Sequence, residues 1–173
     1  RSTVPLPRLA PFCARDSGRA DYGRCDRRQG FSLDLWMRGD AAAAGLTLAD
    51  NRDAAGRGFC LRTTDDGALA LGMGDGQTEN GWRADPACLA APGLHHVAVI
   101  LDGGPKIILG VIDGRLCDGG DQRPFGWSRF SPHLQTVQGA PSLHINADRV
   151  RSLRLYGRAL RVSEAVAHFR AGP

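Results

Sequence analysis

The chain has 173 residues, 42% hydrophobic and 23% charged, with a formal net charge of +4. That suits one globular domain with its own core, and no apolar run is long enough to span a bilayer. The basic side is 21 Arg and a single Lys, Lys106, interspersed with Asp rather than clustered, so neither nucleic acid nor a membrane span is expected. No secretory signal is legible, and a start at Arg1 also fits a processed chain.

In chain order, the first strong pattern is FSLDLWMR, residues 31 to 38. Phe31, Leu33, Leu35 and Met37 alternate with Ser32, Asp34, Trp36 and Arg38, which predicts a half-buried antiparallel strand. Gly58 to Thr63 and Ala68 to Met73 flank Thr64-Asp65-Asp66-Gly67 and read as a hairpin. Gly74 to Pro86 reads as a loop carrying Trp82. Next come two runs that are apolar on both faces, ending at Leu101 and Ile112. They are broken by Asp102-Gly103-Gly104-Pro105 and by Asp113-Gly114, the punctuation of two hairpin corners. A second long loop, Asp118 to Pro132, carries Trp127. Short strands are expected at Ser142 to Asn146 and Val150 to Tyr156. A helix is expected over 162 to 169, capped by Ser163.

Five cysteines, Cys13, Cys25, Cys60, Cys88 and Cys117, include no C-x-x-C pair, which argues against zinc. In a secreted sandwich, one or two disulfides are the expected use. Cys88 and Cys117 bracket the same hairpin, and Cys13 and Cys25 share one loop-like region, so those are the expected pairs. Five reduced thiols is the cytosolic alternative.

Three segments resemble the laminin G-like branch of the concanavalin A-like lectin and glucanase superfamily. They are FSLDLWMR, HHVAVILDGGPKIILGVIDG and VRSLRLYGRALRVSEAVAHF, together spanning roughly residues 31 to 169. The resemblance implies an all-β fold: a two-sheet antiparallel jelly-roll sandwich with one short C-terminal helix. It also implies one domain over 1–173, part of a larger, extracellular or periplasmic polypeptide. Many relatives carry structural calcium. Here Asp16 and Asp21 would be its side-chain ligands, although Arg151 stands where the family often has a supporting Asp. The resemblance marks His95-His96 and Trp36 as structural.

Catalytic members of that superfamily need carboxylates alternating along one strand so that acid and nucleophile point into one cleft. This chain has two Glu, Glu79 and Glu164, and neither belongs to such a pattern. A glycoside hydrolase or polysaccharide lyase is therefore the least favoured reading. Sugar recognition asks for an aromatic platform and planar polar side chains. The stretch DGGDQRPFGWSRFSPH supplies both. Asp118, Asp121 and Arg123 are the expected polar contacts, Trp127 the platform and Trp82 a second aromatic. Phe125, Trp127 and Phe130 can alternatively close the end of the sandwich as a small core, equally so for Trp127 and as the favoured reading for Phe130. The expected role is a non-catalytic, lectin-like module for a glycan, with the Arg excess favouring an acidic polysaccharide, in a chain monomeric or tethered to other domains. A protein-interaction or structural jelly roll is the alternative.

Overall fold

The structure, a computed structural model, describes residues 2–9, 11–12, 30–40, 44–117, 119 and 125–173. These form β1 (Ser2–Pro5), β2 (Gly30–Gly39), β3 (Thr47–Asp50), β4 (Gly58–Thr63), β5 (Leu69–Gly74), β6 (Glu79–Arg83) and β7 (Gly93–Asp102). They continue as β8 (Ile107–Ile112), β9 (Arg115–Leu116), β10 (Ser128–Arg129), β11 (Ser142–Ile145), β12 (Val150–Tyr156) and α1 (Val162–Ala171). The front sheet has the order β1-β11-β3-β4-β5-β6. The back sheet has the order β10-β8-β7-β2-β12, with β9 paired to β8. All the pairings are antiparallel. The expected two-sheet sandwich with one short C-terminal helix is what the chain forms.

Period-2 alternation builds the main core between the sheets. Phe31, Leu33, Leu35 and Met37 of β2 and Val97, Val99 and Leu101 of β7 meet Phe59, Leu61, Leu69 and Leu71 from the front sheet. The reading of β2 as half-buried needs correction. Ser32, Asp34 and Trp36 on its other face are also buried, because α1 and the segment before it lie over the back sheet. Ala98, Ile100 and Val111 pack there against Ala159, Leu160 and Ala165, a second, smaller core. One outer face of the sandwich is thus covered, and no element among the described residues lies over the other.

Local chemistry sets the corners. Asp113 and Gly114 take φ of 49° and 73°, the left-handed pair that a two-residue hairpin turn between β8 and β9 requires. At the preceding corner the left-handed residue is Lys106, at φ 59°, and not Gly103 or Gly104. Its buried ammonium donates to the carbonyls of Phe12 and Leu134, each at 3.0 Å, and lies 5.3 Å from the Phe12 ring centroid. These contacts offset the cost of that backbone conformation. The helix starts two residues earlier than a Ser163 cap would allow: Arg161 is the N-cap. Its backbone N–H donates to the Glu164 carboxylate at 2.8 Å, the acidic half of a capping box.

Five strands were not legible, among them the two-residue β9 and β10, the latter inside the loop expected over Asp118 to Pro132. β1 and β3 are short, and β6 (ENGWR) replaces part of the loop expected over 74–86. Of the β6 residues, Trp82 alone is buried. It packs against Gly110 of β8, where a Cβ would stand 2.4 Å from the indole ring.

Candidate functional site

The most exposed large apolar side chain among the described residues is Phe125, at 72%. It stacks on the half-buried Trp127 with ring centroids 5.5 Å apart and planes 23° apart. The Arg129 guanidinium lies 5.8 Å from the Trp127 centroid, within cation–π range. Three contacts hold this pair in place. Ser128 and Arg129 form β10 against Ile108 and Ile107 of β8. Phe130 turns inward, 5.1 Å from Phe12 and beneath the Lys106 ammonium. The Ser131 N–H then donates to Asn80 Oδ1 on β6. The segment therefore runs from the back sheet's edge to the front sheet's edge and presents an aromatic surface between them. That surface can stack on a flat apolar ring face and offers a cationic neighbour beside it.

The expected contacts fare differently. Trp127 is at the surface with Phe125 and Arg129. Asp118, Asp121 and Arg123 lie outside the described residues, as do Asp16, Asp21, Cys13 and Cys25. Trp82 is corrected: at 4% exposure it is core between the sheets, so its ring cannot serve a ligand. Phe130 is core as well. Phe125, for which a satellite core was one of two readings, stands exposed in the turn at 125–126. Its position directly before Gly126-Trp127 was the available signal.

Cys88 and Cys117 are not bonded to each other, but their side chains are in hydrogen-bond contact, and this contact with burial pushes the Cys88 thiol far up. Both line a cleft of about 780 Å³ between the β8–β9 turn, the 85–88 segment and α1. Cys60 is a separate buried thiol, raised chiefly by desolvation.

The back sheet holds one buried titratable cluster. Oδ2 of Asp34, a residue 1% exposed, lies 2.7 Å from His168 Nδ1 on α1 and 3.3 Å from His96 Nε2 on β7. Arg154 Nη1 stands 4.0 Å from Oδ1. Burial alone would raise the Asp34 pKa, but the hydrogen bonds and charge of the two histidines outweigh it and hold the carboxyl below its ordinary value. The carboxylate is buried under the helix and bound to both histidines, so its chemistry is that of a clasp. His95 is similar. Its Nδ1 meets Asp113 Oδ2 at 2.7 Å and its Nε2 meets the Ala91 carbonyl at 2.8 Å, tying β7 to the β8–β9 corner. Among the described residues no group of three or more His, Cys, Asp or Glu is placed to hold a metal. No helix among them is long and apolar enough to cross a membrane.

No protein-family model matches the sequence, and no curated protein sequence does. Solved structures do match the fold. The CBM40 domain of the Ruminococcus gnavus IT-sialidase superposes with a TM-score of 0.61 at 12% identity, covering 96% of this chain and 97% of that one. The same CBM40 bound to α2,3 sialyllactose gives the same score, with 96% and 95% covered. The binding domain of botulinum neurotoxin serotype D gives 0.63 at 10% identity, covering 84% of this chain. That of neurotoxin DC, in complex with rat synaptotagmin II, gives 0.62 at 13% identity. This chain spans only 38% and 36% of those two toxin domains. At such identities the likeness is one of fold: this β-sandwich architecture occurs in carbohydrate- and receptor-binding domains.

Proposed function

We propose that the chain is a non-catalytic carbohydrate-binding module, an extracellular or periplasmic jelly roll of laminin G-like type that serves a larger carbohydrate-active protein. The observation that carries the reading is the stacked, outward-facing Phe125–Trp127 pair with Arg129 beside it. A pyranose has one face of C–H groups that packs on aromatic rings, and its hydroxyls take the planar polar neighbours. Asp118, Asp121 and Arg123 precede the pair in sequence and supply those neighbours. The whole-length match to a CBM40 domain supports the same reading through the fold. Affinity is modest, because an open surface leaves much of a sugar solvated.

The test is a glycan array, then titration of the best ligand against wild type, Trp127→Ala and Phe125→Ala. Each substitution should weaken binding by about tenfold, roughly 1.4 kcal/mol, at an unchanged melting temperature. A sharp fall in melting temperature for Trp127→Ala would make it a core residue. An array with no binder replaces this reading with the protein-interaction jelly roll.

A further inference from the structure

The open outer face of the front sheet carries a cavity of about 460 Å³, whose lining includes Thr47, Arg52, Arg62, Gly72, Gly81 and Arg83. Strand register explains the arrangement. Arg62 of β4, Ala70 of β5 and Arg83 of β6 form one cross-strand row, with Thr47 of β3 opposite Arg62. Cys60, Gly72 and Gly81 form the next row on the same face. The intervening Leu61, Leu71 and Trp82 point into the core. Long cationic side chains therefore rim a floor made of backbone.

That floor lacks a structural reason to be glycine. Neither Gly72 nor Gly81 has a left-handed φ, and the β5–β6 ladder runs without a register shift. A Cβ at Gly72 would meet nothing within 4 Å, and one at Gly81 only the Leu71 carbonyl oxygen at 3.8 Å. Glycine in a strand interior costs stability relative to alanine. Where no turn, bulge or packed backbone demands it, the remaining use is to let something else approach the strands closely.

Charge says what that is. Arg52 is held by Asp50 through contacts of 3.0 and 2.8 Å, and Arg83 pairs with Asp66. Arg62, at the same rim, is exposed and makes no ion pair among the described residues. The cavity thus presents one uncompensated guanidinium, whose planar fork matches a carboxylate or sulfate, between two neutralised arginines with further N–H donors.

We propose that this furrow binds the acid group of an anionic glycan, with Arg62 taking the carboxylate or sulfate and the sugar ring lying over Gly72 and Gly81. The proposal rests on the carbohydrate-binding reading for the class of ligand, while the site is separate from the Phe125–Trp127 surface. Calorimetric titration of the full chain would use four probes: an oligogalacturonate, its carboxyl-reduced neutral counterpart, a heparin-derived oligosaccharide of equal length, and a single-stranded oligonucleotide. The variants are Arg62→Gln, Gly72→Val and Trp127→Ala. Valine at Gly72 enters open space in a strand, so it should obstruct the furrow without lowering the melting temperature.

Either acidic oligosaccharide should bind the wild type, and whichever is tighter names carboxylate or sulfate as the group held. Both Arg62→Gln and Gly72→Val should weaken that binding at least tenfold, while any binding of the neutral counterpart is unchanged in Arg62→Gln. Acidic oligosaccharides that bind both variants like wild type overturn the proposal. If only the neutral oligosaccharide binds, and Trp127→Ala removes it, the furrow fails and the carbohydrate reading stands. An oligonucleotide that binds as tightly and is lost in Arg62→Gln refutes the glycan assignment. No binding of either acidic oligosaccharide refutes the furrow, and an empty glycan array as well refutes the carbohydrate reading.

Discussion

Removing the Asp34 carboxylate should release α1 from the back sheet. Its Oδ2 is the shared acceptor for His168 on the helix and His96 on the sheet, at 2.7 and 3.3 Å. Hydrogen bonds to a charged group contribute about 1.5–3 kcal/mol each, and the longer contact belongs at the low end. Breaking a buried charged set by deleting one partner costs about 3–5 kcal/mol, so Asp34→Ala is expected to lose about 3–4 kcal/mol. That is a large share of the roughly 5–15 kcal/mol typical of a domain. Asp34→Asn should lose less, about 1–2 kcal/mol, because an amide oxygen at Oδ2 still accepts from both imidazoles.

The pH dependence has a definite sign. The folded Asp34 pKa is lowered, so its contribution is full above the unfolded value of about 4 and disappears as pH falls through the folded value. Other charged groups near the cluster are few: Arg154 at 4.0 Å, and Arg158, whose guanidinium lies 5.9 Å from the Tyr156 ring that stacks on His168. Urea unfolding followed by tryptophan fluorescence suits the measurement, since Phe169 of α1 stacks on Trp36 with centroids 6.0 Å apart. An Asp34→Ala variant within about 0.5 kcal/mol of wild type, or one that keeps the full acid sensitivity of wild type below pH 4, would refute the clasp.

Other outcomes follow from particular contacts. Exposure to oxidised glutathione should join the adjacent Cys88 and Cys117 thiols, their two protons passing to the two glutathione thiols formed; peptide mapping that finds both cysteines free refutes the pair. Glu164→Gln should cost about 0.5–1 kcal/mol by weakening the cap and the Arg158 pair. Because the Glu164 pKa is lowered to about 2, that contribution is present above the unfolded value and is lost as pH falls toward 2, read by thermal melting in acid. Structural calcium at Asp16 and Asp21 would make the melting temperature differ between calcium and chelator, and Asp16→Asn would abolish the difference; equal melting temperatures remove the metal.

The sandwich was legible because β2, β7 and β8 are long, strongly apolar strands whose Asp-Gly corners leave little choice of pairing. The helix over β2 was legible as an element, but its docking was not. Alternation at Ser32, Asp34 and Trp36 looks identical whether the polar face meets water or a helix carrying His168. β6 escaped because an edge strand buries a single side chain, and Trp82 in ENGWR has no alternating partner to reveal which way it points. At the site, composition located the aromatic loop with Trp127 at its surface, but added Trp82, which is core. Tryptophan content does not separate a platform such as Trp127 from a core residue such as Trp82; the Gly110 vacancy that receives Trp82 lies on another strand and the other sheet. The furrow was invisible for a related reason. Arg62, Gly72 and Gly81 become neighbours through cross-strand register, and no local window in the chain holds them together.

The division of the two outer faces limits where this protein can act. The back sheet's outer face carries the cluster richest in titratable groups, Asp34 with two histidines, yet α1 seals it, and the carboxylate that a hydrolase would need free is committed to holding the helix. On the front sheet the carboxylates paired with the furrow's arginines are likewise engaged: Asp50 grips Arg52, and Asp66 pairs with Arg83 and accepts from the Thr64 hydroxyl at 2.5 Å. Glycoside cleavage needs two carboxyl groups facing one bond, one of them able to give up a proton. Asp50 and Asp66 are instead both held below the ordinary carboxylate range by their arginine partners and neighbouring hydrogen bonds, which suits neither a proton donor nor a raised-pKa acid. What the open surfaces offer is aromatic area at one edge and guanidinium over bare backbone on one face. Both are suited to holding a ligand, the role proposed for them, and neither brings two free carboxyl groups together among the described residues.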